Sequence, residues 1–195
     1  MAYQDLLKKS VSTYAAAAAQ AEKERKEASR LKDEYAEDAI KAINRRLTEK
    51  LDAARNEIAA AQAQAVHDVE EWGRIDGTHL PKDAELLKFD IEPGDFDTLV
   101  KRHKDNATMQ KLLFKYGQQK NDAQSKAGER PTYDLTGISS AQGRAHEVQQ
   151  QAQHALSVID MLSGSGYMKG IDSPMARASY KQFIGDGSGY FSFEE

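Results

Sequence analysis

The sequence has no cysteine among its 195 residues. That absence excludes disulfide bonds, thiolate metal ligands and cysteine nucleophiles together. No apolar run approaches the roughly 18 residues that a membrane-spanning helix needs, and residues 1–5 lack the basic-then-apolar layout of a secretion signal. We therefore expect a protein that is neither secreted through a signal peptide nor placed in a membrane.

A large excess of one charge sign is also missing. Lysine and arginine together number 27 against 31 acidic residues, which gives a net charge of -4. The small imbalance is shared by both halves of the chain, so neither half forms a polybasic field for nucleic acid or acidic lipid.

The usual signs of catalysis are lacking as well. The five histidines, at positions 67, 79, 103, 146 and 154, are never three or four residues apart, the spacing of paired metal ligands on a helix. Residues 164–170 contain three glycines, but their spacing differs from the dinucleotide fingerprint and a helix is predicted before them, so we interpret them as a hinge. The sequence predicts no catalytic residue, metal or cofactor, and we expect a protein that is not an enzyme.

Glycine and proline are absent from the first 72 residues, where Ala, Glu, Lys, Arg, Gln and Leu dominate. These residues lose little side-chain freedom on a helix. The composition predicts one long alanine-rich helix over residues 1–72, about 105 Å long at 1.5 Å per residue.

An apolar stripe runs along this helix from Ala28 to Trp72, covering 44 residues in 12 steps, or about 3.67 residues per step. That period is typical of nearly straight or slightly right-handed packing of helices. A lone helix would leave the stripe in water, so we expect self-association. The residues predicted to carry this contact are Leu31, Tyr35, Ile43, Leu47, Leu51, Ile58, Val69 and Trp72.

The stripe weakens across the charge run at residues 22–27, where Arg25 takes the apolar position. One interpretation is a solvated turn of an unbroken helix. The other is a bend that lets residues 3–21 pack on a later segment. No Gly, Pro or Asn marks a turn there, which favours the unbroken helix.

The remainder of the chain predicts shorter elements. Residues 73–92 form a break and a short helix, 93–121 a helical hairpin, 122–137 a linker, 138–163 a further helix, and 164–195 a glycine-rich aromatic tail with a short helix that starts at Ser173-Pro174. The predicted fold class is all-α: a long N-terminal helix forming a helical bundle or coiled coil, then short helices and the tail. The hairpin repeats apolar residues at helical spacing, which predicts a docking module built on Phe96, Leu99, Val100, Met109, Leu112, Leu113 and Tyr116.

Aromatic side chains near the end of the tail are costly to leave in water, so Tyr190, Phe191 and Phe193 are predicted to insert into a neighbour.

The hairpin also carries a local excess of positive charge. Lys101, Arg102 and Lys104 are the candidate nucleic-acid contacts, and Lys111, Lys115 and Lys120 follow on the second arm. The alternative interpretation is the solvated face of two amphipathic helices, which is the commoner origin of such runs.

The stretch from Asp95 to Leu113, Asp-Phe-Asp-Thr-Leu-Val-Lys-Arg-His-Lys-Asp-Asn-Ala-Thr-Met-Gln-Lys-Leu-Leu, follows a long Ala/Glu/Lys helix. It resembles small structural proteins encoded in the head and tail gene clusters of tailed bacteriophages and prophages. The resemblance implies a scaffold-like or minor virion component that contacts copies of itself and capsid or tail partners. It also implies a location in the virion or the host cytoplasm.

Overall fold

The computed structural model describes residues 2–74, 77–138, 140–164, 170–185 and 190–193. These residues form helices and connecting segments and contain no strand, which confirms the all-α fold class. The elements are α1 (Tyr3–Ala28), α2 (Asp33–Trp72), 3-10 helices at Gly77–His79 and Lys82–Lys88, α3 (Pro93–Arg102), α4 (Ala107–Lys126), α5 (Ala141–Ser163) and α6 (Pro174–Ile184).

The chain divides into two compact units. Unit 1 combines residues 1–65 with 148–195, and unit 2 comprises residues 66–147. The chain leaves unit 1 within α2 and returns to it within α5. Each unit has its own apolar core.

The unbroken helix predicted over residues 1–72 is wrong, because α1 ends at Ala28 and α2 starts at Asp33. Ser10 donates a hydrogen bond of 2.7 Å to Glu57, and Arg25 donates one of 2.6 Å to Asn44. The two helices therefore lie side by side and run in opposite directions. The bend was the less favoured of the two sequence interpretations.

The stripe explains why the chain turns. In unit 1 it buries Ile43, Ala54 and Ile58 against the chain itself, and each large aliphatic side chain removed from water stabilises the fold by about 1.5–3 kcal/mol. The turn loses little in exchange, because Ser29, Arg30 and Leu31 still donate backbone hydrogen bonds to carbonyls of α1. The free energy gained by burying these side chains within the chain is thus larger than that lost by ending α1 at the turn.

The charge run at residues 22–27 ties elements together across the turn. Glu24 accepts a hydrogen bond of 2.6 Å from Arg46 of α2, and Lys26 pairs with Asp172 just before α6 at 3.0 Å. Several charges of this run therefore have specific partners in unit 1.

Helix α1 is the central element of unit 1. Tyr3 at its start donates to the carbonyl of Val148 in α5 at 2.9 Å, and Lys8 donates to the carbonyl of Ile184 at the end of α6 at 2.8 Å. Ala15 and Ala18 are almost fully buried, and their small side chains let neighbouring segments pack closely. The alanine content of α1 thus serves contacts within the chain.

In unit 2, α3 and α4 form the helical hairpin that the sequence predicts. Asn106 caps α4 by accepting a hydrogen bond from the Met109 backbone at 2.9 Å. Gln110 is fully buried and donates to the carbonyls of Val100 and His103, at 3.0 and 3.1 Å. It therefore supplies a donor to two carbonyls at the end of α3, of which that of His103 also accepts from the Asn106 N–H at 3.0 Å.

The linker predicted over residues 122–137 needs correction. Helix α4 continues to Lys126, and the following segment folds back on it. Asn121 donates to the carbonyl of Tyr133 at 2.9 Å and accepts from its N–H at 3.0 Å, while Leu135 and Ile138 pack on the core of unit 2. The polar composition that predicts a free linker supplies side-chain amides that hold this segment in place.

Candidate functional site

The predicted self-association stripe is largely used inside the chain. Ile43 and Ile58 are buried, and Leu47 and Leu51 are half-buried against the core of unit 1. Of the eight predicted residues, Leu31 and Tyr35 at the turn between α1 and α2 keep more than half of their surface exposed. The helical periodicity identified an inward face, but a segment of the same chain covers most of it.

Val69 and Trp72 belong to unit 2 and are half-buried. The Trp72 ring lies 3.8 Å from the Arg144 guanidinium, and its indole N–H donates to the carbonyl of Asp105 at 3.0 Å. Arg144 in turn donates to the carbonyl of Lys104 at 3.0 Å. Trp72 therefore anchors α2 to the α3–α4 loop within unit 2.

The three aromatic residues of the tail also pack on the chain itself. Phe193 is buried in the core of unit 1, and Tyr190 and Phe191 pack against that core. The Phe191 N–H donates to Ser12 at 2.7 Å, and Tyr180 donates to the Phe191 carbonyl at 2.7 Å. The sequence predicted that these rings insert into a neighbouring molecule. They pack instead on α1 and α6 of the same chain, so that prediction is wrong. Residues 186–189 and 194–195 of the predicted tail lie outside the described residues.

The residues predicted as a docking module form the core of unit 2. Leu112 is half-buried, and Phe96, Leu99, Val100, Met109, Leu113 and Tyr116 are buried. These side chains hold α3 against α4 and have little surface left for a partner.

Three exposed apolar side chains lie in one segment beside this core, and sequence reasoning missed them. Within unit 2, Leu80, Leu86 and Phe89 are 48%, 45% and 68% exposed. We call these three residues the 80–89 surface. The neighbouring Ala84 and Leu87 pack on the core, as expected for a 3-10 helix, in which residues three apart lie on one side. The sequence signal for these residues was a cluster of four large apolar side chains within ten positions: Leu80, Leu86, Leu87 and Phe89.

The backbone of this surface is fixed. The Tyr116 hydroxyl accepts from the N–H of Ile91 at 2.9 Å and donates to the carbonyl of Phe89 at 3.2 Å. Tyr133 donates to the carbonyl of Ile91 at 2.6 Å, and Lys120 pairs with Asp90. Burial raises the pKa of the Tyr133 phenol further above neutral pH.

Asp83 fixes the other end of the same segment. Its carboxylate lies 2.9 Å from the His103 ring and 3.0 Å from the Arg102 guanidinium. The hydrogen bonds from His103 and Arg102 hold the pKa of Asp83 below its ordinary value. The 3-10 helix is thus tied to the end of α3, and Leu86 and Phe89 are presented from an ordered segment.

The same contacts reduce the free positive charge of the hairpin. Of the six basic residues, Arg102 pairs with Asp83, Lys120 with Asp90, and Lys111 donates to the carbonyl of Gly73. Arg102 and Lys111 stay exposed along with Lys101, Lys104 and Lys115, so Asp83 and Asp90 compensate two of the six positive charges. The net positive charge of the hairpin is therefore smaller than the sequence suggests.

The described ranges hold no candidate for two other kinds of site. Within them, no three His, Asp or Glu side chains are grouped so that they could hold a metal ion. None of the helices in these ranges combines the length and apolar character needed to cross a membrane. The glycine-containing residues 165–169 of the predicted hinge lie outside the described residues.

These features define an all-α protein of helical-bundle architecture with an ordered apolar surface on one unit. No family model, curated protein or solved structure matches the chain. The resemblance to bacteriophage structural proteins therefore stays a prediction.

Proposed function

We propose that this chain is a non-enzymatic structural or assembly protein that associates with copies of itself and with other structural proteins of a particle. The observation that carries the proposal is the 80–89 surface. Phe89 exposes 68% of its surface although its backbone is held by Tyr116. An ordered apolar surface loses little conformational entropy on binding, which favours association.

The resemblance of residues 95–113 to phage head and tail cluster proteins supports a particle as the setting. In that setting the protein acts in the virion or in the host cytoplasm during assembly. The 80–89 surface and residues 95–113 both belong to unit 2.

The proposed association depends on the exposed apolar side chains of the 80–89 surface. We expect the full chain to show a weight-average mass that rises with concentration in sedimentation equilibrium. Replacing Leu86 and Phe89 together by Ser removes two large apolar groups from the interface, and we expect association to weaken roughly a hundredfold.

Met175 provides the control, because it is a 54% exposed apolar residue but lies on α6 in unit 1. Met175→Ser is expected to leave the mass distribution unchanged. A wild-type chain that stays monomeric up to high micromolar concentration contradicts self-association. A double variant that associates like the wild type contradicts the assignment of this surface.

A further inference from the structure

Unit 1 contains a groove of about 300 Å³ between α1, the start of α6 and the aromatic end of the tail. Its lining includes Ala16 and Ala19 on α1, Arg177 on α6 and the two tail rings Phe191 and Phe193. The volume lies at the lower limit of pockets that hold small molecules. It is larger than a second groove of about 180 Å³ between α1 and α2.

One wall of the groove is apolar and aromatic. The rings of Phe191 and Phe193 meet edge to face with centroids 5.0 Å apart. Phe193 is buried, whereas Phe191 keeps part of its surface exposed. Ala16 and Ala19 are also half-buried, and their short side chains leave the space open. A flat apolar group would find aromatic contacts on this side.

The lining of the groove also carries charge. Its cations are Lys23, Lys26 and Arg177, and its acids are Glu22 and Asp172. Asp172 is already engaged, because its two oxygens lie 3.0 Å from Lys26 and 2.9 Å from Arg177. Lys26 has three donors and uses one on Asp172. The cations thus retain donors beyond those that Asp172 accepts.

Lys23 is exposed and has no hydrogen-bond or ion-pair partner among the described residues. Glu22, the other acid of the lining, pairs with Arg25 at 3.4 Å and with Lys26 at 3.8 Å. The net charge of the lining is +1, from three cations and two acids. An anion entering the groove therefore meets an uncompensated cation beside an aromatic wall.

We infer that this groove binds a small organic anion with an aromatic body, whose carboxylate contacts Lys23 and Lys26 while its rings lie against Phe191. The site is separate from the 80–89 surface, since its lining residues belong to unit 1. The inference does not depend on the proposed assembly role.

The probe is 2-naphthoate, with the neutral 2-naphthamide as its matched control. Both are titrated into the isotope-labelled full chain and followed by backbone amide shifts. We expect naphthoate to shift amides of residues 16–26, 171–177 and 190–193, and naphthamide to bind at least about tenfold more weakly, because it lacks the charge-assisted hydrogen bonds. Equal binding of the two compounds, or shifts centred elsewhere, overturns the inference.

Two pairs of variants locate the site. Lys23→Glu is expected to weaken naphthoate binding at least about tenfold. Lys9→Glu is the control, because it makes the same charge change at an exposed position of α1 outside the groove.

Ala19→Leu fills the groove and is expected to abolish binding. Ala17→Leu is its control, since Ala17 lines the smaller groove between α1 and α2. Unchanged binding in Lys23→Glu, or equal loss in Lys9→Glu, rejects the site even if Ala19→Leu fails to fold.

Discussion

The hydroxyl of Ser10 lies 2.7 Å from a carboxylate oxygen of Glu57, a residue 47 positions further along the chain. This contact exists because α1 turns back on α2 after Ala28. Ser10 is nearly buried, and its hydrogen bond is one of several that join the two helices. The hairpin replaces the long exposed seam that an unbroken helix would have presented.

The hairpin predicts a short distance between exposed positions on its two arms. Spin labels on Lys9→Cys and Asn56→Cys, also 47 residues apart, are expected to lie under about 30 Å, since packed helices are about 8–10 Å apart. An unbroken helix would separate them by about 70 Å. Pulsed electron paramagnetic resonance measures this distance, and the absence of native cysteine leaves the labels unambiguous.

The control pair is Lys9→Cys with Glu27→Cys, which lie on α1 and should be about 27 Å apart in either arrangement. Dilution with unlabelled protein distinguishes distances within one chain from those between copies. A long distance for the first pair, or a short one lost on dilution, would contradict the intramolecular hairpin.

The sequence located the inward face of α2 at Ile43 and Ile58 but not at Leu31 or Tyr35, and it predicted another copy of the chain where a segment of the same chain lies. Periodicity identifies which face of a helix avoids water, as at Ile43 and Ile58, but it does not say what covers that face. The turn itself had no signature, because Ser29 adopts ordinary right-handed helical angles, φ −63 and ψ −11. Such a turn requires neither glycine nor proline.

The sequence correctly predicted the start of α6, because a single capping residue determines where such a helix begins. Ser173 caps α6 by accepting from the Ala176 N–H, and Pro174 occupies the first turn, as the sequence predicts. The 80–89 surface depends instead on tertiary contacts. The exposure of Phe89 follows from the hydrogen bonds of Tyr116 across a separation of 27 residues, which no local pattern reveals.

Gln110 is expected to stabilise unit 2 because it is a buried polar residue with two carbonyl acceptors on α3. Gln110→Ala leaves those carbonyls without this donor and opens a cavity, so we expect the free energy of unfolding to fall by about 2–4 kcal/mol. Urea denaturation measures the change. Gln118→Ala, at an exposed position of the same helix, should change it by less than about 0.5 kcal/mol. Equal effects of the two variants would contradict the assigned role.

The pairing of Arg102 with Asp83 and of Lys120 with Asp90 lowers the net positive charge of the hairpin and predicts weak binding to nucleic acid. Four exposed lysines of the hairpin, Lys101, Lys104, Lys111 and Lys115, could neutralise about four phosphates, so retention on immobilised duplex DNA should disappear by about 100 mM salt. Retention at about 200 mM salt that is abolished by the triple variant Lys101→Glu, Arg102→Glu, Lys104→Glu would support the nucleic-acid alternative over assembly. The triple variant Lys41→Glu, Arg45→Glu, Lys50→Glu, at exposed positions of α2, controls for net charge.

Unit 1 should lose stability in alkaline solution through its buried phenols. Burial raises the pKa of Tyr14 and of Tyr180 above the ordinary value of 10.0. The unfolded chain therefore releases these protons at a lower pH than the folded chain. The two protonated phenols therefore add to the free energy of unfolding. This contribution is complete below about pH 10 and is lost as the pH rises through the folded pKa values. We expect the urea midpoint to stay level from about pH 8 to about pH 9 and to fall above about pH 10, and to fall less steeply in Tyr14→Phe, which has no phenol to ionise. Tyr35→Phe alters a phenol that is 67% exposed and should follow the wild type. If Tyr14→Phe and the wild type keep the same slope, the buried phenol of Tyr14 does not control the alkaline transition.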